Sequence, residues 1–149
     1  MERRGRQVPL RLNILIIIDT SVLVSYEIED DINHEKAVTL MGKIVGEKFG
    51  QPITTNFIFD ETVTVTFGRS KSLDKAIFVG EKMRTNSRVL EIDKGLFDVA
   101  WKLFKSQKKS KLSFTDCTTV SITRSNGIDY LATFDKEFKS LPDIRVVDS

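Results

Sequence analysis

The fold is decided by an apolar run near the start of the chain, Ile14-Leu15-Ile16-Ile17-Ile18, which ends at Asp19. Five consecutive aliphatic residues predict a strand that is buried on both faces, as in a parallel sheet. A buried strand does not need an acid at its end, and the acid is unfavourable there unless a positive group lies opposite it. We therefore expect a divalent cation beside Asp19.

Short strands and helices alternate along the rest of the chain. Further strands are predicted at residues 52–55, 88–91, 130–133 and 144–147. Helices are predicted at 20–26, 33–49 and 72–84, from Asp93 onwards, and from Ser113 or Thr115 to the Asn126-Gly127 stop signal. A short helical turn is expected at 135–139. This alternation predicts an α/β fold with a mainly parallel sheet.

The segment that follows Asn56 carries two conflicting patterns. Residues 62–67 alternate with period two and are rich in β-branched side chains, which favours a strand. A helix would instead place Ile58, Glu61 and Val65 on one stripe and turn Glu61 inward. The local pattern alone leaves both structures open.

Length and charge describe one ordinary domain with a basic start. The chain has 149 residues, with 23 basic and 21 acidic side chains. The first eleven residues hold four arginines and one glutamate, so the remainder carries a net charge of −1. We expect residues 1–12 to be a flexible basic leader and residues 13–149 to form the folded domain. An RNA-binding surface would then have to be a local patch.

Cysteine content and hydropathy predict a cytoplasmic protein. The single cysteine, Cys117, excludes an internal disulfide and a multi-cysteine zinc site. No apolar run approaches the roughly 20 residues that span a bilayer. No signal-peptide cleavage site follows the apolar run near the start of the chain. We expect no contact with a membrane.

Acidic residues recur where strands end or helices begin. Asp19 and Asp135 follow strands, Asp116 opens a helix, and Glu61 would face inward on one. Ligands of open α/β sheets bind beyond the carboxyl ends of the strands, so these acids are expected to share one site. Two carboxylates about 4 Å apart repel by roughly 4 kcal/mol, which a hard divalent cation would offset. Taken singly, each acid could also be a helix cap or a solvated side chain.

Four blocks of sequence resemble the PIN-domain nucleases, most closely the VapC-type toxins of toxin–antitoxin pairs. The blocks are Ile17-Ile18-Asp19-Thr20-Ser21-Val22-Leu23, Asp60-Glu61-Thr62, Leu112-Ser113-Phe114-Thr115-Asp116-Cys117 and Ala132-Thr133-Phe134-Asp135. The resemblance implies a three-layer α/β/α sandwich in which Glu61 lies on a helix. The period-two pattern does not choose between Asp60 and Glu61, whereas the family register favours Glu61.

The resemblance also implies a site and its partners. Asp19, Glu61 and Asp116 would be the principal ligands of Mg²⁺ or Mn²⁺, and Asp135 would complete the pocket. Thr20, Ser21 and Thr115 could orient those carboxylates. The expected activity is hydrolysis of RNA by a homodimer that a small antitoxin protein neutralises. There are two alternatives. The chain could be an RNA-processing nuclease without an antitoxin, or a non-catalytic module that binds RNA or protein.

A run of basic residues leads towards Asp116. Contacts with the RNA backbone are predicted for Lys105, Lys108, Lys109 and Lys111, joined by Arg69 and Lys71. The simpler interpretation is a solvated helix end whose positive charge suits the helix dipole.

Overall fold

The computed structural model describes residues 13–149, so the predicted leader at residues 1–12 lies outside the described part. Five parallel strands form one sheet in the order β3-β2-β1-β4-β5. They are β1 (Leu15–Ile18), β2 (Gln51–Thr55), β3 (Arg88–Leu90), β4 (Tyr130–Ala132) and β5 (Val146–Val147). The apolar run therefore forms the central strand, although Ile14 precedes it and is half exposed.

Within residues 13–149, six α-helices cover the two faces of the sheet. They are α1 (Thr20–Glu27), α2 (His34–Val45), α3 (Asn56–Ser70), α4 (Leu73–Asn86), α5 (Lys94–Ser106) and α6 (Phe114–Asn126). A 3₁₀ helix, Lys136–Ser140, joins β4 to β5.

Successive side chains of β1 pack into two separate hydrophobic cores, because side chains alternate between the two faces of a strand. Ile17 packs with side chains of α3, α4, α5 and α6, whereas Ile16 and Ile18 pack with those of α1 and α2. The predicted three-layer α/β/α sandwich with a parallel sheet is thus confirmed.

The segment of conflicting patterns is a helix, α3. The Thr55 side chain caps it by accepting a 3.0 Å hydrogen bond from the Ile58 amide. Ile58, Thr62 and Thr66 are spaced by four residues and are fully buried, so the helical stripe outweighs the local preference for strand. Gly80 of α4 permits the close approach of the two helices, since a Cβ there would lie 3.3 Å from Val63 Cγ2.

Some predicted details of the helices are wrong. Helix α2 ends at Val45 rather than near Phe49, and the chain then turns through positive φ at Glu47 and Gly50. Gly50 is required there, because a Cβ would lie 2.1 Å from the Ile14 carbonyl oxygen. In α5, the helical spacing predicts one apolar stripe of Leu96, Val99, Ala100 and Leu103, but the Val99 side chain is more than half exposed.

No helix between residues 13 and 149 is both long enough and apolar enough to span a bilayer.

Candidate functional site

The pairing of β1 with β4 brings Asp19 next to the residues that follow β4. Ile18 and Ala132 are partners in the parallel register, and the Asp19 amide donates a 2.9 Å hydrogen bond to the Ala132 carbonyl. Both strands end here, so the next residue of each, Asp19 and Thr133, lies at the carboxyl edge of the sheet. This is the edge at which open α/β sheets bind ligands.

The Asp19 carboxylate is buried and held by two hydroxyl groups. Its Oδ2 accepts hydrogen bonds from Thr133 Oγ1 at 2.7 Å and from Ser21 Oγ at 2.9 Å. Asp19 occupies the N-cap position of α1, yet its side chain makes no capping hydrogen bond. Burial raises the pKa of Asp19, with a further contribution from the charge of Glu61. Helix capping therefore does not explain this acid.

Asp116 combines a structural contact with an unusual charge environment. At the start of α6, Asp116 forms a capping box with Ser113. Asp116 Oδ2 accepts a hydrogen bond from the Ser113 amide, and Ser113 Oγ accepts one from the Asp116 amide. It is only 8% exposed. Burial, followed by the charges of Asp19 and Asp135, raises the pKa of Asp116 to about 7. One carboxylate oxygen is thus used in the cap, while the group as a whole is costly to ionise without a cation.

Glu61 and Asp60 lie in different environments on α3. Asp60 is exposed, whereas Glu61 is half-buried and close enough for its charge to affect Asp19. The following residue, Thr62, donates a 3.2 Å hydrogen bond to Thr20 Oγ1 and so ties α3 to the start of α1. The helix thereby presents Glu61, and not Asp60, to Asp19.

Asp135 lies just beyond β4 and caps the 3₁₀ helix. Its Oδ1 accepts a 2.9 Å hydrogen bond from the Glu137 amide, and its own amide donates to Thr133 Oγ1 at 3.0 Å. Its charge also contributes to the raised pKa of Asp116. Asp19, Glu61, Asp116 and Asp135 are therefore electrostatically coupled, and we call them the acidic site.

The acidic site is an open arrangement of oxygen donors. Within residues 13–149, no three side chains of Asp, Glu, His or Cys approach closely enough to form a ready-made metal cage. In the same part of the chain, no lysine or arginine forms an ion pair with any of the four acids. Mg²⁺ usually takes one or two carboxylates and keeps several waters, so this donor set fits a hard divalent cation.

The residues predicted to orient the acids occupy different positions. Ser21 contacts Asp19, whereas Thr20 bonds to Thr62. The backbone carbonyl of Thr115 accepts hydrogen bonds from the hydroxyls of Thr118 and Thr119. Among the described residues, no hydrogen bond joins the Thr115 hydroxyl to an acid. Thr133 makes the shortest hydrogen bond to the Asp19 side chain, but it is not among the residues that the sequence predicts to orient the acids. The one sequence feature that indicates this role is its position directly after a strand that pairs with β1.

The predicted basic residues differ in their surroundings. Lys71, Lys105, Lys108, Lys109 and Lys111 are exposed. Arg69 forms a 2.8 Å ion pair with Asp31. The loop that carries the last three lysines is closed by Gln107, whose side chain bonds to Leu112, and the Lys111 amide donates a 2.7 Å hydrogen bond to Glu137. The lysine loop, residues 108–111, is therefore fixed beside the turn that follows Asp135.

Comparisons with known proteins agree with this geometry. The family model described as PIN domain matches residues 16–144. Among solved structures, the chain is 25% identical to VapC20 of Mycobacterium tuberculosis, a toxin that cleaves the sarcin–ricin loop, with a TM-score of 0.78 over 90% of this chain and 99% of that one. No curated protein matches it in sequence.

Two more distant structures share the fold. VapBC-1 of nontypeable Haemophilus influenzae gives a TM-score of 0.67 at 16% identity, over 91% of this chain and 98% of that one. VapBC2 of Rickettsia felis, bound to a DNA fragment from its promoter, gives a TM-score of 0.64 at 14% identity, over 90% of this chain and 98% of that one. The chain therefore belongs to the PIN-domain family, and its structure is that of a VapC-type PIN nuclease.

Proposed function

We propose that the chain is a metal-dependent endoribonuclease and the toxin of a toxin–antitoxin pair. The observation that carries the proposal is the buried Asp19 carboxylate, which is surrounded by neutral hydroxyl donors and further acids with no cationic side chain paired to it in the described residues. Such a carboxylate is unfavourable unless a cation joins it.

Asp19, Glu61 and Asp116 would hold Mg²⁺ or Mn²⁺, partly through bound waters because no three of the described carboxylates form a ready-made cage, with Asp135 at the edge of the same site. When bound, the metal would acidify a water molecule and neutralise the phosphate during phosphodiester hydrolysis. Ser21 and Thr133 keep the Asp19 carboxylate in one orientation through hydrogen bonds to Oδ2. The expected products are a 3′-hydroxyl and a 5′-phosphate.

The exposed lysines would bind the RNA backbone beside the acidic site. The lysine loop is attached to Glu137, two residues after Asp135, so its positive charge lies at the rim of the acids. Lys105 continues this charge along α5, and Lys71 lies at the end of α3. Arg69 would have to exchange Asp31 for a phosphate.

The proposed partners are a small antitoxin protein and a second copy of the chain. Similar folds occur in VapBC complexes, which supports an antitoxin. A groove of about 440 Å³ between α1, α2 and α4 is lined in part by Leu23, Met41 and Val79 and could receive apolar side chains of such a partner. Copurification with a small protein and the mass of the free chain in solution test these two assignments.

Cleavage assays on a single-stranded RNA test the proposed reaction. We expect cleavage with Mg²⁺ or Mn²⁺ and none with EDTA. Asp19→Asn should lose at least about 100-fold in rate because it removes a metal-binding charge while retaining the acceptor oxygen. Asp30→Asn, at an exposed acid between α1 and α2, is the matched control and should cleave normally. Full activity of Asp19→Asn would refute the proposal.

A further inference from the structure

We propose that a pocket beside the acidic site binds one unpaired guanine base of the RNA substrate. The inference rests on the proposed ribonuclease function and adds to it the base that is recognised next to the cleaved bond. The guanine pocket has a volume of about 300 Å³ and lies between α1, α3 and residues 31–33, which precede α2.

The guanine pocket continues the acidic site along two helices. Ser21 of α1 lines its inner end and also donates the hydrogen bond that holds Asp19. On α3, Glu61, Val65 and Arg69 are spaced by four residues and share one side of the helix, and the last two line the pocket. Glu61 and Val65 are about 6 Å apart along the helix axis. A base in the pocket would therefore belong to a nucleotide next to the cleaved bond.

The walls of the pocket suit a flat ring. Val24 of α1, Val65 of α3 and Ile32 of the connecting loop each contribute an aliphatic side chain. Ile32 is 95% exposed, so a bound base would remove apolar surface from water. A phosphate group would instead lose hydration against these side chains, which is unfavourable.

Two polar side chains of the pocket are available to a ligand. Arg69 Nη1 donates a 2.8 Å hydrogen bond to Asp31 Oδ2, and within residues 13–149 its Nε and Nη2 groups make none. Asn33 occupies the N-cap position of α2, where an asparagine side chain usually accepts a hydrogen bond, yet it forms no capping bond. Its half-buried amide group thus retains both donor and acceptor capacity.

The loop that carries these groups is held in place before any ligand binds. Asp31 Oδ1 accepts hydrogen bonds from Ser25 Oγ at 2.9 Å and from the Asn33 amide at 2.8 Å. His34 Nδ1 lies 2.8 Å from the Ser25 carbonyl oxygen. Because Arg69 is anchored on the same Asp31, little ordering remains to be done when a base enters.

The free groups match guanine. The Nε and Nη2 groups of Arg69 form a fork of N–H donors, and guanine offers the adjacent acceptors O6 and N7 to such a fork. Asn33 Oδ1 can accept a hydrogen bond from the amino group on the opposite edge of the same base. Arg69 needs to give up nothing at Asp31 for this contact. Glu29 and Asp30 are exposed just before the loop, and their negative charges disfavour a phosphate there but not a neutral base.

Binding of short RNAs in EDTA tests the pocket without requiring cleavage. The probes are oligouridine strands that carry one central guanosine, 7-deazaguanosine, adenosine or uridine. We expect the guanosine strand to bind at least about 10-fold more tightly than the adenosine and uridine strands. The 7-deazaguanosine strand should lose most of this preference, because it lacks the N7 acceptor. Equal affinity for all four strands, or a preference for another base, would overturn the proposal.

Variants assign the preference to the pocket. Arg69→Lys should abolish it but largely retain binding of plain oligouridine, because lysine keeps the positive charge beside Asp31 and lacks the fork. Arg84→Lys, at an arginine of α4 that is likewise paired with an acid, Glu81, is the matched control and should keep the preference. Asn33→Ala should reduce the preference about 3- to 10-fold. Its thermal unfolding midpoint should not change, since no capping bond is lost.

The remaining outcomes distinguish the two proposals. A guanosine preference in a protein that cleaves no RNA would support the pocket and refute the proposed reaction. RNA cleavage by a protein that shows no base preference would overturn the pocket but not the nuclease. An unchanged preference in Arg69→Lys would also overturn the pocket. Loss of a copurifying protein in that variant, without an effect on RNA, would overturn it and assign this surface to a protein.

Discussion

Thr133 Oγ1 donates a 2.7 Å hydrogen bond to Asp19 Oδ2, although 114 residues separate them in sequence. The same hydroxyl accepts the Asp135 amide at 3.0 Å. One buried side chain therefore connects two members of the acidic site. It fixes the orientation of Asp19 and the start of the turn that carries Asp135.

Thr133→Val should weaken the apparent affinity for Mg²⁺ about 10- to 100-fold, because it removes the donor that orients a ligand while keeping the side-chain shape. A Mg²⁺ titration of RNA cleavage measures the effect. Saturating metal should restore most of the rate if the hydroxyl acts through Asp19.

The matched control is Thr123→Val, at a hydroxyl that is buried but finds no hydrogen-bond partner in the described residues. Replacing it with a methyl group should leave metal affinity unchanged and raise the free energy of unfolding by about 1 kcal/mol. Equal loss of metal affinity in both variants would show that the effect is not specific to Asp19.

The metal-free protein should become less stable as pH rises from about 4 to about 7. The pKa of Asp116 is about 7 in the folded protein and returns to its ordinary value of 3.8 when the chain unfolds, so in this interval the folded state binds the additional proton. Stability is therefore greatest at the acidic end and falls by up to about 4 kcal/mol once Asp116 ionises. Thermal unfolding in EDTA at pH 5 and pH 8 measures the change.

Asp116→Asn should flatten that pH dependence, because the neutral amide cannot ionise yet keeps an oxygen for the Ser113 cap. Mg²⁺ should stabilise the wild type more at pH 8 than at pH 5, since it binds the ionised form. A wild-type unfolding midpoint that does not change between these pH values would contradict the assigned environment of Asp116.

Neighbouring acids on α3 allow a paired test. Glu61→Gln should reduce cleavage at least about 10-fold, because the half-buried carboxylate faces Asp19, whereas exposed Asp60→Asn should retain it. Both changes remove one negative charge from the same turn. A larger loss in Asp60→Asn would show that the other acid is the ligand.

The sequence was sufficient to predict the sheet and the elements that carry Asp19, Asp116 and Asp135, because β1 is uniformly aliphatic and the caps at Ser72, Asp93 and Ser113 are standard ones. It was insufficient for α3, where β-branched residues favour strand locally and burial of Thr62 and Thr66 against other helices decides for helix. Such packing depends on partners that are distant in sequence. Thr133 was missed for the same reason, since its contact requires the strand register.

Replacing Lys108, Lys109 and Lys111 together with Gln should make RNA binding less dependent on salt. If each lysine contacts a phosphate, the slope of log affinity against log salt should become shallower by about 2, since each contact with a single strand contributes about 0.7. Lys48→Gln serves as the control, because Lys48 precedes β2 at the opposite edge of the sheet and should contribute nothing to the slope. The measurement is a binding titration in EDTA at several salt concentrations. An unchanged slope in the triple variant would mean that these lysines are only a solvated helix end.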